Sequence, residues 1–196
     1  MHIYEAKKFN LPKLEGISEE SVKQHIGLYE GYVKNFNAIS KLIAELATTD
    51  SEKYAHAVSE LVRRRSFEFD GMRLHEYYFA QFEGGAKTLA DGSSKKILEE
   101  TYKPVGFEVV MKSIALMRGP GWATLYYDPE AKELLTSFVG EQHQGHFVTL
   151  PIILALDVWE HAYLLDYGAI GKGKYLDAFF KNLNWSVIEK RFDALQ

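Results

Sequence analysis

The stretch PIILALDVWEHAYLLDY, residues Pro151–Tyr167, decides how this chain folds. Its first six residues are apolar and include two β-branched isoleucines, a pattern typical of a buried strand. Asp157 follows this run directly, and His161 comes four residues later, beyond an expected strand-to-helix turn. A buried carboxylate costs roughly several kcal/mol unless it finds a cation, hydrogen-bond donors or a metal. We therefore expect the side chains of Asp157 and His161 to converge on one point.

An imidazole and a carboxylate together suit iron, manganese, zinc or nickel. A D-x-x-x-H spacing is common by chance, so a structural pair is the alternative interpretation. The residues around Asp157, Glu160 and His161 are mostly apolar, and buried ionisable clusters are frequently functional. These apolar neighbours are Val158, Trp159, Ala162 and Tyr163. The segment therefore predicts a metal site more strongly than its spacing alone does.

Composition excludes several classes of function. The chain has 196 residues, 46% of them hydrophobic, and a formal net charge of −4, so it lacks the basic footprint of a nucleic-acid-binding protein. It contains no cysteine, which excludes disulfides, thiolate metal sites and a cysteine nucleophile. The N-terminal residues are too polar for a signal peptide, and no stretch has the apolar length of a membrane span. We expect a cytoplasmic protein with neither nucleic-acid nor membrane partners.

The first half of the chain shows helical periodicity. Ser18 fits a helix N-cap, followed by acidic residues in the first turn and apolar residues at three- and four-residue steps. Gly84-Gly85 ends the helical half. Pro104 and Gly106 interrupt the next helical pattern, which predicts two pieces there. The predicted helices cover about residues 18–46, 51–64, 67–82 and 95–118.

The second half adds strands. Residues 122–127 and 134–139 flank the turn Asp128-Pro129-Glu130, and the apolar run 151–156 gives a third strand. Two short helices are predicted in residues 173–195. We expect an α+β fold, with an N-terminal all-α domain (residues 1–91) containing a long helical hairpin. A C-terminal α/β domain (residues 92–196) follows, with a small three-stranded antiparallel sheet flanked by helices.

A metal held by Asp157 and His161 needs further ligands, and the helical half offers His25 and His75. His25 lies on the apolar stripe of the first helix, and His75 is flanked by aromatic residues. Each alone is equally consistent with a core histidine, but together the four residues make three imidazoles and one carboxylate. His143 and His146 lie in the loop 140–149, where they could be near the site without being ligands.

The segment DVWEHAY, together with YLDAFFKNLNW (Tyr175–Trp185), resembles the C-terminal signature of the iron/manganese superoxide dismutases. Gly31–Asn37 and the motif GPGW at 119–122 are also similar to segments of that family. The resemblance implies that His25, His75, Asp157 and His161 bind one manganese or iron ion per subunit. It also implies conversion of superoxide to O₂ and hydrogen peroxide by a homodimer or tetramer.

The resemblance further implies residues around the metal. The active-site tyrosine of the family matches Tyr32. Its glutamine, which hydrogen-bonds the metal-bound solvent, corresponds either to position 71, which is Gly71 here, or to the loop before the last strand. In that loop Gln142 is the best match, which leans towards manganese or dual-metal use, with His143 as the alternative. Trp122 and Trp159 match the aromatic residues that surround the family's metal site. Glu160 matches a carboxylate that contacts a ligand histidine of the other subunit.

Three departures from the family pattern stand out. Seven residues separate His25 from Tyr32 instead of eight, so alignment on the downstream motif alone would place Gln24 at the ligand position. The family's gateway histidine is replaced by Leu28 or Tyr29. The tyrosine that meets that histidine across the dimer is Leu164.

These departures leave alternatives open. We expect the metal and the dimer to be retained and the substrate channel to be rebuilt, with Lys34 as a cation for steering the anionic substrate. One alternative is a metal protein of this fold with weak or different activity. Another is a non-catalytic helical interaction protein with histidines in its core.

Overall fold

Two long helices begin the fold in a computed structural model that describes residues 2–196. Helix α1 spans Glu19–Thr49, and the side chain of Ser18 caps it by accepting a hydrogen bond from the Ser21 amide at 3.1 Å. Helix α2 spans Ala55–Ala80 and packs along α1 as the second arm of a hairpin. The predicted N-cap and hairpin are both confirmed.

Helix α2 is continuous, although the sequence predicts two pieces with a break between residues 64 and 67. No glycine or proline lies at that point to end a helix. An ion pair of 2.7 Å between Arg64 and Glu68, one turn apart, bridges the expected break. The predicted break was therefore wrong, and the continuity lets a single rigid helix carry His75.

Two short helices then lead into the sheet. Helix α3 spans Ser93–Tyr102 and α4 spans Phe107–Ala115, so the interruption predicted from Pro104 and Gly106 is present. The segment 81–92 before them contains no helix or strand. The sequence places the domain boundary there, and that boundary stays a prediction.

The sheet is three-stranded and antiparallel, as predicted. Strand β1 spans Gly121–Asp128, β2 spans Glu133–Gly140 and β3 spans Ile152–Asp157, in the spatial order β2-β1-β3. The central strand β1 is buried along nearly its whole length. Its register opposes Trp122 to Asp157, the last residue of β3. This pairing places an indole next to the carboxylate at one end of the sheet.

The chain ends in short helices that cover the sheet. A 3-10 turn at Glu160–Ala162 follows β3, and the helices are α5 (Leu164–Tyr167), α6 (Lys172–Asn182) and α7 (Trp185–Asp193). Helices α6 and α7 are the two short helices predicted near the C-terminus. Asn184 caps α7 by accepting a hydrogen bond from the Ser186 amide.

One buried side chain fixes the helical hairpin against the sheet. The Gln81 amide, just after α2, donates to the Ala155 carbonyl at 2.8 Å and accepts from the Ala155 N–H at 2.9 Å. This reciprocal pair satisfies a central backbone position of β3 and anchors the end of α2 to it. As a result, His75 on α2 lies next to Asp157, two residues further along the strand.

Candidate metal centre

Asp157 is fully buried, and its neighbours hold the carboxylate in one orientation. Its Oδ1 accepts the Trp159 N–H at 2.8 Å, and its backbone carbonyl accepts the Tyr175 hydroxyl at 2.8 Å. The Tyr175 hydroxyl in turn lies 3.2 Å from that of Tyr78. With Oδ1 occupied, Oδ2 is the oxygen that faces the three histidines.

The three predicted histidines converge on that oxygen. The Nε2 atoms of His25 and His161 each lie 3.1 Å from Oδ2 of Asp157, and Nε2 of His75 lies 3.6 Å away. His25 and His75 are buried, whereas the side chain of His161 is 20% exposed. The structure thus brings together all four residues that the sequence predicts as ligands, from α1, α2, β3 and the 3-10 turn.

The alternative placement of Gln24 is resolved by the same geometry. Gln24 points outward and donates to Glu20 on the exposed side of α1. His25 and Tyr32 lie seven residues apart on a regular helix, so both face α2 on the same side. The shorter spacing therefore does not displace the candidate ligand His25.

The hydrogen bonding of the His75 ring indicates whether a metal ion fits the site. Its Nδ1 lies 2.6 Å from the Gly71 carbonyl, which can only accept, so Nδ1 carries the proton. Its Nε2 therefore presents a lone pair, and that buried atom has no hydrogen-bond partner among residues 2–196. A buried acceptor without a partner costs free energy, and a metal ion would satisfy it.

The electrostatics of the site also suit a cation. Burial lowers the pKa of His25 and lowers that of His75 to about 3, so both imidazoles are neutral. Burial alone would raise the pKa of Asp157, but His161 and His25 outweigh it and hold that pKa well below its usual range. Neutral imidazoles at His25 and His75 beside the ionised carboxylate of Asp157 are the protonation states that metal ligands need.

The four candidate ligand atoms all lie within 4.8 Å of one another, close enough to share one ion. Three imidazole nitrogens and one carboxylate oxygen make a borderline-to-hard donor set that suits a first-row transition metal. The stacked ring of Trp159, 5.8 Å from His161, covers one side of this group. The residues present therefore fit a single bound iron or manganese ion.

A second group of side chains borders the four candidate ligands. Gln142 is fully buried; its Oε1 accepts the Trp122 indole N–H at 2.8 Å, and its Nε2 donates to the Tyr32 hydroxyl at 2.9 Å. Because an indole N–H can only donate, it fixes which end of the amide faces Tyr32. The Tyr32 ring lies 5.0 Å from that of His75. Burial raises the pKa of Tyr32, so the phenol stays protonated.

Position 71 cannot supply an amide of this kind. A Cβ on Gly71 would lie 2.6 Å from Cδ1 of Tyr32, so the tyrosine ring occupies the space of any side chain there. His143 packs edge-on against Phe67, with ring centroids 5.6 Å apart, and its Nδ1 has no partner among the described residues. Of the sequence candidates, Gln142 is the one that hydrogen-bonds to Tyr32.

Two predicted neighbours lie in different surroundings. The side chain of Glu160, in the 3-10 turn, is exposed in the single chain. Its expected contact with a second subunit stays a prediction. Tyr29 is fully buried; it stacks on His75 with centroids 6.5 Å apart and donates to Glu76 at 3.3 Å. Tyr29 therefore packs behind the candidate ligand His75.

Sequence reasoning missed Tyr78 and Tyr175 as supports of Asp157, and His146 as a support of the loop that carries Gln142. Tyr175 is part of the YLDAFF segment, but nothing in the spacing shows that its hydroxyl reaches back to residue 157. No helix within residues 2–196 combines the length and apolarity needed to cross a membrane.

Comparison with known proteins agrees with this geometry. Residues 92–191 match the family model described as iron/manganese superoxide dismutases, C-terminal domain. The chain is 33% identical to a superoxide dismutase (Fe) of Aquifex pyrophilus, over 98% of this chain and 92% of that one. It is 32% identical to the corresponding protein of Cupriavidus metallidurans over 98% of each chain. A third relative, from Methanothermobacter thermautotrophicus, is 30% identical over the full length of both.

The fold and the buried histidine-aspartate group define a metalloenzyme with a single-ion centre. The chain belongs to the iron/manganese superoxide dismutase family. It is an enzyme of the superoxide dismutase class, with superoxide as substrate and one iron or manganese ion per subunit.

Proposed function

We propose that His25, His75, Asp157 and His161 are the metal ligands of this superoxide dismutase. The observation that carries the assignment is the buried lone pair on Nε2 of His75, which lies 3.6 Å from Oδ2 of Asp157 and has no other partner within residues 2–196. When bound, an iron or manganese ion supplies one-electron chemistry between its +3 and +2 states, which converts superoxide to O₂ and hydrogen peroxide.

Tyr32 and Gln142 hold the protons next to the ligands. The phenol stays protonated because burial raises its pKa, and the Gln142 amide donates to the phenol oxygen at 2.9 Å. Trp122 holds the other end of the amide. We assign to Tyr32 the delivery of a proton towards the product and to Gln142 the orientation of that phenol and of solvent at the site.

Superoxide is an anion and the chain carries a net charge of −4, so local cations must attract it. A cavity of about 590 Å³ reaches the exposed edge of His161, and its lining includes Arg118 and Lys172. The Lys172 ammonium donates to the Met117 carbonyl at 3.0 Å, which fixes it beside the cavity. Lys34, the steering cation suggested by the sequence, does not line this cavity. We assign steering to Lys172 and Arg118.

Two observations bear on which metal ion the site uses. The amide near Tyr32 comes from Gln142 rather than from position 71, which favours manganese or the use of either metal. The relatives named above are called iron enzymes. We propose that the site is active with either ion. Comparing the two loaded forms tests this directly.

We also propose a homodimer that covers the cavity. Large apolar side chains are exposed in this region. Leu116 and Met117 line the cavity, and Leu164 and Leu165 directly follow Tyr163, which also lines it. All four are between 43% and 54% exposed in the single chain. Glu160, which also lines this cavity, is exposed and available to a second copy. Burial of such a patch favours association. Sedimentation equilibrium of a Glu160→Ala variant tests this contact. A variant that remains a dimer at micromolar concentration would show that dimerisation does not depend on Glu160.

The decisive test combines elemental analysis with a dismutation assay on manganese- and iron-loaded protein. We expect one ion per chain and activity in at least one form. His75→Gln should lose both, and His56→Gln, which changes an exposed histidine near the start of α2, should lose neither.

Other outcomes separate the remaining candidates. One bound ion with almost no activity would favour a metal protein of this fold with another reaction, for which the exposed Leu28 and Leu164 are the motivation. Wild-type protein that binds no transition metal would refute the metal assignment and favour an interaction protein.

A further inference from the structure

The loop that carries Gln142 is short and closed on itself. The backbones of Gly140 and Gln144 bond each other reciprocally, at 2.7 and 3.1 Å. Gly145 has a φ of 102°, and a Cβ there would lie 2.8 Å from the Phe138 carbonyl oxygen. Gln142 is fully buried, whereas Glu141 and Gln144 on either side of it are exposed. The buried Gln142 side chain therefore extends from a loop whose two ends are hydrogen-bonded to each other.

Side chains of β1 hold Gln142 at two points, one directly and one through His146. The Trp122 indole N–H donates to the side-chain oxygen of Gln142. The backbone carbonyl of Gln142 lies 3.0 Å from Nε2 of His146, and Nδ1 of His146 lies 2.8 Å from the hydroxyl of Tyr126, which is also on β1. The link from β1 to the Gln142 main chain passes through the His146 ring.

Donor and acceptor roles along this link are determined by chemistry. A carbonyl oxygen can only accept, so Nε2 of His146 carries the proton and donates to Gln142. In the neutral ring Nδ1 then accepts the Tyr126 O–H. Tyr126 is 1% exposed, which makes it a rigid anchor. Because both ring nitrogens are used, His146 is not available as a ligand.

We propose that His146 is a positioning residue: it fixes the Gln142 main chain to β1 and thereby sets how the Gln142 amide meets Tyr32 beside the metal. The inference rests on the proposed role of Gln142. A ring that only filled space would not need both of its nitrogens paired, whereas a positioning role does. Partners that orient groups at a metal site typically change activity or affinity by about 10- to 100-fold when removed.

The test is a double-mutant cycle on the metal-loaded enzyme. His146→Leu keeps a similar volume and removes both hydrogen bonds; we expect kcat per bound metal to fall about tenfold with metal content unchanged. His146→Gln can donate to the Gln142 carbonyl and accept from Tyr126, so it should restore most of the loss. In a Gln142→Leu background, His146→Leu should change kcat by less than about twofold, because the residue through which it acts is gone.

The midpoint potential of the bound metal gives a readout independent of turnover. It should shift in His146→Leu, return towards wild type in His146→Gln, and stay unchanged in the control His56→Leu, which alters an exposed histidine. Tyr126→Phe, which leaves the ring in place, should give a smaller shift in the same direction as His146→Leu.

Three results would overturn the inference while leaving the proposed function intact. One is a His146→Leu enzyme with wild-type kcat and potential. Another is a loss that simply adds to that of Gln142→Leu, and the third is a lower melting temperature without change in kcat per metal. Wild-type protein without metal or dismutase activity would instead refute the proposed function.

Discussion

Nε2 of His25 lies 3.1 Å from Oδ2 of Asp157, although 132 residues separate them along the chain. One is on the first helix and the other ends the last strand, so the contact exists only when the hairpin and the sheet are docked. The fixed point of that docking is Gln81, which bonds both backbone groups of Ala155. The contact between His25 and Asp157 therefore depends on the tertiary fold, whereas that between His161 and Asp157 needs only a local turn.

Asp157→Asn should abolish tight metal binding. The substitution keeps the shape of the side chain and its hydrogen bond from Trp159 but removes the only carboxylate among the four candidate ligands. Without that charge only the three imidazoles face the ion, and the binding energy falls sharply. Elemental analysis after dialysis measures the outcome, with the exposed Asp193→Asn as control. Stoichiometric metal in the Asp157→Asn protein would refute the assignment of this ligand.

Gly71→Ala should impair activity more than stability. The new Cβ would lie 2.6 Å from Cδ1 of Tyr32, so the ring must move and its hydrogen bond with Gln142 is perturbed. We expect kcat to fall about tenfold, the lower end of the effect seen for groups that orient a metal site.

Gly27→Ala on α1 is the matched control, because within residues 2–196 no atom outside its own stretch of helix lies within 4 Å of its new Cβ. It should raise the free energy of unfolding by about 0.5–1 kcal/mol, the usual gain of alanine over glycine inside a helix. Stopped-flow assays and thermal melts compare the two variants. Unchanged kcat in Gly71→Ala would show that Tyr32 tolerates displacement.

Features that depend on neighbouring residues were predicted from the sequence. The distant convergence of the four candidate ligands was predicted through the family resemblance, whereas the pairings of their supporting residues were not. Ser18 was recognised as a cap because capping involves residues three apart. The strand ending at Asp157 was visible because its apolar run is uninterrupted. By contrast, the pairing of Tyr126 with His146 requires a strand register and a tautomer, which spacing does not encode. The sequence wrongly predicts a break in α2, because the apolar residues of this segment show only weak helical periodicity. Packing against other elements stabilises the continuous helix.

The metal-free protein should lose stability as pH falls from about 6.5 towards 3. An unfolded histidine has a pKa of 6.5, whereas burial lowers that of His75 to about 3 and lowers that of His25 as well. In that window the unfolded chain binds more protons than the native one, so the free energy of unfolding decreases with acid. Urea titrations across the range measure the slope.

Two variants check the source of that slope. His75→Gln should flatten the pH dependence because one of the responsible groups is removed, even if its stability at neutral pH is lower. His56→Gln should leave the slope as it is, since His56 is exposed on α2. Equal slopes in wild-type and His75→Gln protein would contradict the prediction.

Asp70→Asn should stabilise the protein at neutral pH. Asp70 is half-buried one residue before Gly71, and burial raises its pKa above 3.8 despite the opposing influence of His146 and His143. The native state therefore disfavours the charged carboxylate, a cost that is present above the folded pKa and disappears as pH falls below the unfolded value. A neutral amide avoids that cost, so we expect the melting temperature at pH 7 to rise by about 2 °C. The gain should shrink towards pH 4 in melts of the metal-free protein. A lower melting temperature at pH 7 would mean instead that the Asp70 carboxylate accepts favourable interactions from the nearby histidines.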